Sequence, residues 1–365
     1  MKFKIQLYDL HKELGASFGE FVGWSVPMMY TSAVSEYMSV RKHVGVFDVS
    51  HMGRLLVEGK DSFKLLQKLV CRDLERVPIN HMSGPSALLN ENGGFKDDVM
   101  VYNIGNNKWL IVCNAVNRVK VIDWIKEWIN KLKANVDVMD LTFNLSMIAV
   151  QGPYASSTFK NIGLGFITNL NPLEFRTNIN TSYGEVFLIS RSGWTGEDGF
   201  EIIAEPSVIE KIYRKVIDAA AKPCGIIARD MLRIEMGYVL YGHEIDENIT
   251  PIEARYWVWS EDKKDYIGWE AIRKKIKEGV DKLRYGLKLG RGIRVIPRPG
   301  HKVYVKGEDT VVGEVTSGTF SPLLGRSIAM VYIDSRHAIP GLSVEIEIRD
   351  KRYRAKIVDF PFIVR

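Results

Sequence analysis

Asn90-Glu-Asn-Gly-Gly-Phe-Lys-Asp-Asp-Val-Met-Val-Tyr102 begins as a turn and ends as a strand. Asn92-Gly93-Gly94 supplies residues that reach positive φ cheaply. Val99 to Tyr102 is β-branched and aromatic, as strands are. Asp97 and Asp98 stand where turn becomes strand. A pleat sends neighbouring side chains to opposite faces, so one of the two carboxylates can point inward. An inward carboxylate against an apolar sheet has a pKa and partners set by that setting. Taken alone, the window favours two solvated turn formers.

Upstream, residues 32–44 predict a helix with Ser32 as N-cap and Gly45 as C′ residue. Strands at 46–50 and 54–58 follow, then a helix to Leu69 capped by Asp61, and a short strand at 86–90. Downstream, 98–104 and 109–113 form a hairpin. A helix over 115–133 places Val119, Ile122, Ile125, Trp128, Ile129 and Leu132 on one face. Strands at 136–139 and 145–150 complete this part. Residues 150–260 repeat the grammar, with helices at 154–162, 206–221 and 225–237 and strands at 185–190 and 200–204. Hairpins interleaved with helices argue α+β rather than a doubly wound parallel sheet. The basic stretch 273–298 reads as a linker. Beyond it, short strands at 303–305, 311–315, 328–333, 344–348 and 353–358 suggest a small β-barrel or sandwich.

The 365 residues predict two or three domains. No apolar run approaches the roughly 20 residues that cross a bilayer, and the N-terminus lacks a signal-peptide pattern; a cytoplasmic protein without membrane partners is expected. Cys71, Cys113 and Cys224 have no C-x-x-C spacing, which argues against a disulfide framework or structural zinc. The seven histidines are scattered without ligand spacing, so no catalytic metal is expected. The net charge of +6 favours an anionic partner. The basic stretch has few aromatics and no nucleic-acid signature, so a solvated face or a patch for an acidic protein is expected there and nucleic acid is not.

Phosphate-loop, dinucleotide-binding, zinc-helix and nucleophile-elbow patterns are absent. Four features stand out besides. They are Asp97-Asp98, the glycine-rich Arg191-Ser-Gly-Trp-Thr-Gly-Glu-Asp-Gly-Phe-Glu201, the helix Ala228-Arg-Asp-Met-Leu-Arg-Ile-Glu235, and the polar loop 241–251. On that helix Asp230 can pair with Arg233. Carboxylates converging with arginine and aromatics suit a flat, donor-rich heterocycle.

Together these motifs resemble the aminomethyltransferases (T proteins) of the glycine cleavage system. The matching blocks are Leu10-His-Lys-Glu-Leu-Gly-Ala-Ser-Phe-Gly-Glu-Phe-Val-Gly-Trp24, Pro27-Met-Met-Tyr30 and Val40 through Phe-Asp-Val-Ser-His-Met-Gly53. Asn90-Glu-Asn-Gly-Gly, Asp97-Asp98, Gln151-Gly-Pro, Gly193 to Glu201 and Ala228-Arg-Asp230 follow, then Leu240-Tyr-Gly-His-Glu-Ile-Asp-Glu-Asn and Gly313 to Pro322. The blocks run in family order over nearly the whole chain.

The resemblance implies two intertwined antiparallel-sheet α+β domains, 1–52 plus 140–265 and 53–139, and an all-β barrel at 280–365, around a central folate channel. It implies lipoylated H protein as partner and tetrahydrofolate, or a related tetrahydropterin, as acceptor. Residue by residue, Asp98 matches the family's key aspartate, Glu201 the acid on the pterin edge and Arg229 the arginine of that pocket. Met52, Met100, Tyr102, Asn114, Trp194 and Tyr238 match positions lining the cleft. Pro85 and Trp194 stand where many members have tyrosine, and the family's C-terminal folate contact is left unplaced, with Arg365 as a candidate. Two other readings of the fold stay open. One is a demethylating module, normally joined to a flavin domain. The other is a folate-binding protein of RNA modification or iron–sulfur assembly, whose members lack the Asp98, Glu201 and Arg229 combination.

Overall fold

A computed structural model describes residues 2–364, so Arg365 lies outside the described residues. The chain divides into two compact units. One comprises the chain up to Leu88, Lys96–Arg229 and Val258–Tyr266; the other comprises Leu89–Phe95, Asp230–Trp257 and the chain from Ile267 onward.

The first unit holds three sheets. Its five-stranded sheet runs, edge to edge, Met82–Leu89, Phe95–Gly105, Lys108–Cys113, Gly53–Glu58 and Asp137–Asp140. Its six-stranded sheet has the order Phe175–Thr181, Gly184–Ser190, Gly199–Ala204, Ser146–Gln151, Gly45–Asp48, Lys222–Pro223. All pairs in this sheet are antiparallel except the last, which is parallel. Phe200, Ile202, Ile148 and Val150 pack against helices Ala155–Asn161 and Pro206–Asp218 through Phe159, Ile209, Ile212 and Val216. A small sheet of Phe3–Lys4, Trp24–Met29 and Ser17–Phe21 carries its own apolar cluster of Ile5, Trp24 and Val26.

The second unit contains a closed six-stranded barrel. Its order is Lys282–Leu289, Arg326–Asp334, Val311–Ser321, Lys302–Val305, Ser343–Ile348 and Lys351–Val358, the last pairing back to the first. Alternate residues such as Leu287, Val303, Val315, Val331, Ile346 and Ile357 fill the interior. The α+β organisation with a C-terminal barrel therefore stands, and of the two expected forms, barrel or sandwich, it is the barrel.

Several local expectations are corrected. The basic stretch is no linker: it holds helix Trp269–Glu278 and the barrel strand Lys282–Leu289. Many of its cations face solvent while Ile272, Leu287 and Leu289 are buried, so charge masked the apolar alternation. Helix Arg118–Leu132 buries Val121, Trp124 and Ile125, whereas Val119 and Leu132 are exposed. Two stripes overlap at helical spacing, and the one carrying Trp124 packs. Ser32 caps helix Ala33–Lys42 as expected, accepting from Ser35 N at 3.1 Å, but Gly45 begins a strand. Asp61 precedes helix Ser62–Leu69 without a side-chain cap, its Oδ2 accepting instead from Asn135 N at 2.8 Å. Besides Lys282–Leu289, five strands among the described residues were not anticipated: Phe3–Lys4, Ser17–Phe21, Trp24–Met29, the polar edge strand Phe175–Thr181 and Lys222–Pro223.

The Asn90–Gly94 turn forms for the chemical reasons its residues suggest. Asn90 Oδ1 accepts from Asn92 N and Gly94 N at 3.0 and 2.9 Å, and Gly93 adopts φ +81°. Gly94 serves differently: a Cβ there would stand 1.9 Å from the Glu247 carbonyl oxygen, which also accepts from Asn90 Nδ2 at 2.9 Å. Gly94→Ala should therefore lower the melting temperature by several degrees, because backbone rather than a flexible side chain must yield. An unchanged thermal melt would contradict this packing.

Candidate active site

Strand pairing puts three of the sequence candidates in one row of the five-stranded sheet. Val99 is opposite Cys113, and Cys113 is opposite Gly53. One step further along each strand stand Asp98, Asn114 and Met52, each half-buried. Asn114 Nδ2 donates to Asp98 Oδ1 at 2.7 Å. Met100 and Tyr102 follow Asp98 on the same face by the two-residue repeat.

Asp97 overturns the expectation of a solvated turn residue. It is fully buried, and it accepts from Asn114 N at 2.8 Å, Asn114 Nδ2 at 2.8 Å and Asn117 Nδ2 at 2.6 Å. Its carboxyl is pushed up, chiefly by burial and then by the charge of Asp98, with the three N–H donors opposing. The pleat does send the two aspartates to opposite faces. The face away from Asp98 is covered by the Asn114–Asn117 turn rather than by water.

The Met52 end is held by Arg54, a fully buried arginine. Its guanidinium donates to the carbonyls of Met52, Ser50, Thr142 and Leu145 at 2.6, 3.0, 2.5 and 2.8 Å. Burial lowers its pKa to about 10, leaving it charged at neutral pH. Between Ser50 and Met52, His51 is buried against the Phe21 ring, its Nδ1 without a hydrogen-bond partner. Burial first, and the Arg229 charge next, lower its pKa to about 3, so it is neutral at physiological pH.

The glycine-rich loop supplies the second cluster. Gln151 is its anchor: Nε2 donates to Ser192 O at 2.9 Å and Oε1 accepts from Thr195 Oγ1 at 2.8 Å. A Cβ on Gly193 would fall 1.8 Å from Gln151 Oε1, and one on Gly199 2.4 Å from its Nε2. Arg41 adds bonds to Thr195 O at 2.7 Å and Glu197 Oε1 at 2.9 Å. So held, the loop keeps Trp194 half-buried and presents Ser192 Oγ to Glu201 Oε2 at 2.6 Å.

Glu201 sits in the central strand of the six-stranded sheet, between Ala149 and Ser190, on the face opposite Phe200. It is 9 % exposed, and burial pushes its carboxyl up against the opposing effects of Ser192 and Arg229. Arg229 is half-buried, with Nη1 sealed from solvent and unbonded. Burial lowers its pKa, and Glu201 offsets part of that. The two attract each other without forming a direct ion pair. Tyr102 completes the cluster. Its ring meets Phe175 edge-on at 5.4 Å. Its buried hydroxyl, near Ser190, Ser192 and Glu201, makes no hydrogen bond of ordinary geometry.

Tyr238 belongs to the other unit, where it is half-buried. Its N–H donates to Arg233 O at 2.9 Å and its carbonyl accepts from Arg233 Nη1 at 3.0 Å. Arg233 also bonds Asp230 at 2.7 Å, the expected i, i+3 pair, and Glu244 at 2.9 Å.

The sequence matches the GCVT N-terminal domain over residues 7–262 and the glycine cleavage T-protein C-terminal barrel domain over residues 282–363. The chain belongs to the glycine cleavage T-protein family. An Aeropyrum pernix protein named "Probable aminomethyltransferase" is 43% identical over 364 residues, covering 98% of this chain and 96% of that protein. The Aquifex aeolicus "Aminomethyltransferase" is 40% identical over 357 residues, covering 98% and 95%. The solved structure of glycine cleavage system aminomethyltransferase T from Bartonella henselae superposes with a TM-score of 0.92 at 30% identity, covering 100% of this chain and 98% of that one.

Outside these clusters, Cys71, Cys113 and Cys224 are buried and their thiols pushed up by burial, which leaves them poor nucleophiles. Among the described residues no group of three His, Cys, Asp or Glu could hold a metal, and no helix is long and apolar enough to cross a membrane. Two residues of this neighbourhood were not singled out from sequence, His51 and Ser192. His51 lies inside a quoted family block and Ser192 inside the glycine-rich stretch 191–201, but nothing in their own windows marks His51 as buried or Ser192 as the partner of Glu201.

Proposed function

We propose that this chain, an aminomethyltransferase of the glycine cleavage system, moves the one-carbon unit of an aminomethyl group to tetrahydrofolate. The donor is the aminomethyl group on the lipoyl sulfur of H protein. The carbon–sulfur and carbon–nitrogen bonds of that group break, and two carbon–nitrogen bonds form on the acceptor. Methylenetetrahydrofolate, ammonia and dihydrolipoyl H protein result. We assign the folate-binding region to 1–265, as interleaved segments 1–52 plus 140–265 and 53–139, and the barrel domain to 280–365. The protein acts in the cytoplasm.

The observation that carries the pterin site is the open electrostatic pair of Glu201 and Arg229. A buried acceptor stands near a sealed arginine nitrogen that has no partner, with Tyr102 OH and His51 Nδ1 also unbonded. Buried polar groups left this way cost about 1–3 kcal/mol each until something pairs with them. The amino-pyrimidinone edge of a pterin offers paired N–H donors for the carboxylate and acceptors for the arginine. We assign Met52, Met100, Asn114 and Trp194 to the remainder of this site. Asp98 shares a strand face with the apolar Met100 and is oriented by Asn114. An ionised carboxylate there stabilises a cationic iminium and orients the attacking nitrogen.

Ammonia release from aminomethylated H protein, with tetrahydrofolate compared against other tetrahydropterins, tests the assignment. Turnover with a reduced pterin supports it, and none with any pterin would remove it. The positive surface charge suits an acidic H protein, so its affinity should fall steadily as salt is added. An affinity indifferent to ionic strength would count against that docking mode.

A further inference from the structure

We infer that Asp97 is a positioning residue for the Asp98 carboxylate, acting through the side chain of Asn114. The inference rests on the proposed role of Asp98. A primary amide has two N–H donors and one acceptor. Asn114 directs its amide nitrogen to both carboxylates at once, to Asp97 Oδ1 at 2.8 Å and Asp98 Oδ1 at 2.7 Å. With two acceptors facing it, the nitrogen end of the amide is fixed in identity as well as in place.

Asp97 holds the rest of Asn114 too. Asp97 Oδ2 accepts the Asn114 backbone N–H at 2.8 Å, so one carboxylate grips this residue at both main chain and side chain. Asn117 Nδ2 shares Asp97 Oδ1 at 2.6 Å and fixes the carboxylate from its other side. All three partners donate, so a carboxylate can accept from each, whereas an amide turns one of its two acceptor atoms into a donor. Asp97 itself is sealed from solvent, so it cannot touch a substrate directly. Asp98, by contrast, is half-buried. A buried carboxylate beside another of like charge is costly to keep. Its bonds lead to Asn114, to Asn117 and through Asn114 to Asp98, so the position of Asp98 is what it secures.

The test is a double-mutant cycle on the full chain. Ammonia release is measured for Asp97→Asn, Asp98→Asn and the pair, with tetrahydrofolate varied and H protein saturating. Asp97→Asn should lower kcat about ten-fold while the KM for tetrahydrofolate stays within about two-fold. In the Asp98→Asn background it should change nothing, because the group it positions has gone. A kcat within about two-fold of the parent overturns the inference, as does an equal loss in both backgrounds or a parallel loss of affinity and rate. An Asp98→Asn chain as active as the parent would overturn the catalytic reading beneath it. A normal Asp97→Asn beside a crippled Asp98→Asn would overturn the inference alone. Should Asp97→Asn not fold, Asn117→Ala removes one bond to Asp97 and leaves Asn114 bridging. Its kcat should fall about three-fold, again only with Asp98 present, and an unchanged kcat overturns the inference.

Discussion

Asp98→Asn should cut the rate of ammonia release by roughly 10²- to 10⁴-fold while tetrahydrofolate still binds at near-parental affinity. The substitution keeps the shape of the side chain and replaces one oxygen by a donor. That removes the negative charge from the site where cationic character develops. It also confronts Asn114 Nδ2, which donates to Asp98 Oδ1 at 2.7 Å, with a group that can no longer accept through both of its atoms. The pterin contacts proposed for Glu201 and Arg229 lie elsewhere and are left in place, which is why the loss should fall on kcat. Single-turnover release and fluorescence-detected pterin binding, measured on the same preparation, separate the two effects. Full activity in this variant would remove Asp98 from the mechanism.

The second large effect concerns Arg229→Met, which should raise the KM for tetrahydrofolate about 10²-fold and shift the acid limb of kcat/KM to higher pH. Burial already holds the Glu201 carboxyl above its usual range, with Ser192 and Arg229 pulling the other way. Without Arg229 that carboxyl rises further. At any pH near its titration less of it is ionised, and an edge of paired N–H donors then finds no acceptor. The effect on folding has a definite sign. A carboxyl raised on folding adds no penalty below its unfolded pKa and costs stability as pH rises through the folded one. Arg229→Met should thus gain more stability on acidification than the parent does. A pH profile that superposes on the parent, with an unchanged KM, would show that the two residues do not act together.

How much of this could be read from the chain depended on whether the deciding interaction was local. The Asn90–Gly94 turn and the Ser32 cap involve atoms a few residues apart, and both formed as composition suggests. Glu201 was visible because a glycine-rich loop next to a buried strand is an uncommon arrangement. Its central position in the sheet, between Ala149 and Ser190, was not visible from that window. Asp97 was misjudged for an instructive reason. Alternation along a strand decides which of two neighbours shares a face, but it does not decide that the other face is wet. Here residues 17 and 20 positions away cover it, Asn114 and Asn117. The strand Lys282–Leu289 was hidden by the lysines and arginine on its outward side, although its inward Leu287 and Leu289 are fully buried. His51 carries no marker in its own window, because its unbonded nitrogen and its neutral state come from Phe21, Arg229 and burial.

The route of the chain through the six-stranded sheet bears on how the polypeptide is made. Gly45–Asp48 pairs on one side with Ser146–Gln151 and on the other with Lys222–Pro223. Between Gly45–Asp48 and the first of those partners the chain builds the whole five-stranded sheet. The first strand must therefore wait, during synthesis, for on the order of 100 further residues before either neighbour exists. The intervening sheet, in which Met82–Leu89, Phe95–Gly105 and Lys108–Cys113 follow one another through short turns, can close while that wait lasts. A nascent chain with residues up to about 145 outside the ribosome should then carry a protease-resistant core of the later-numbered strands behind a still-cleavable N-terminal segment.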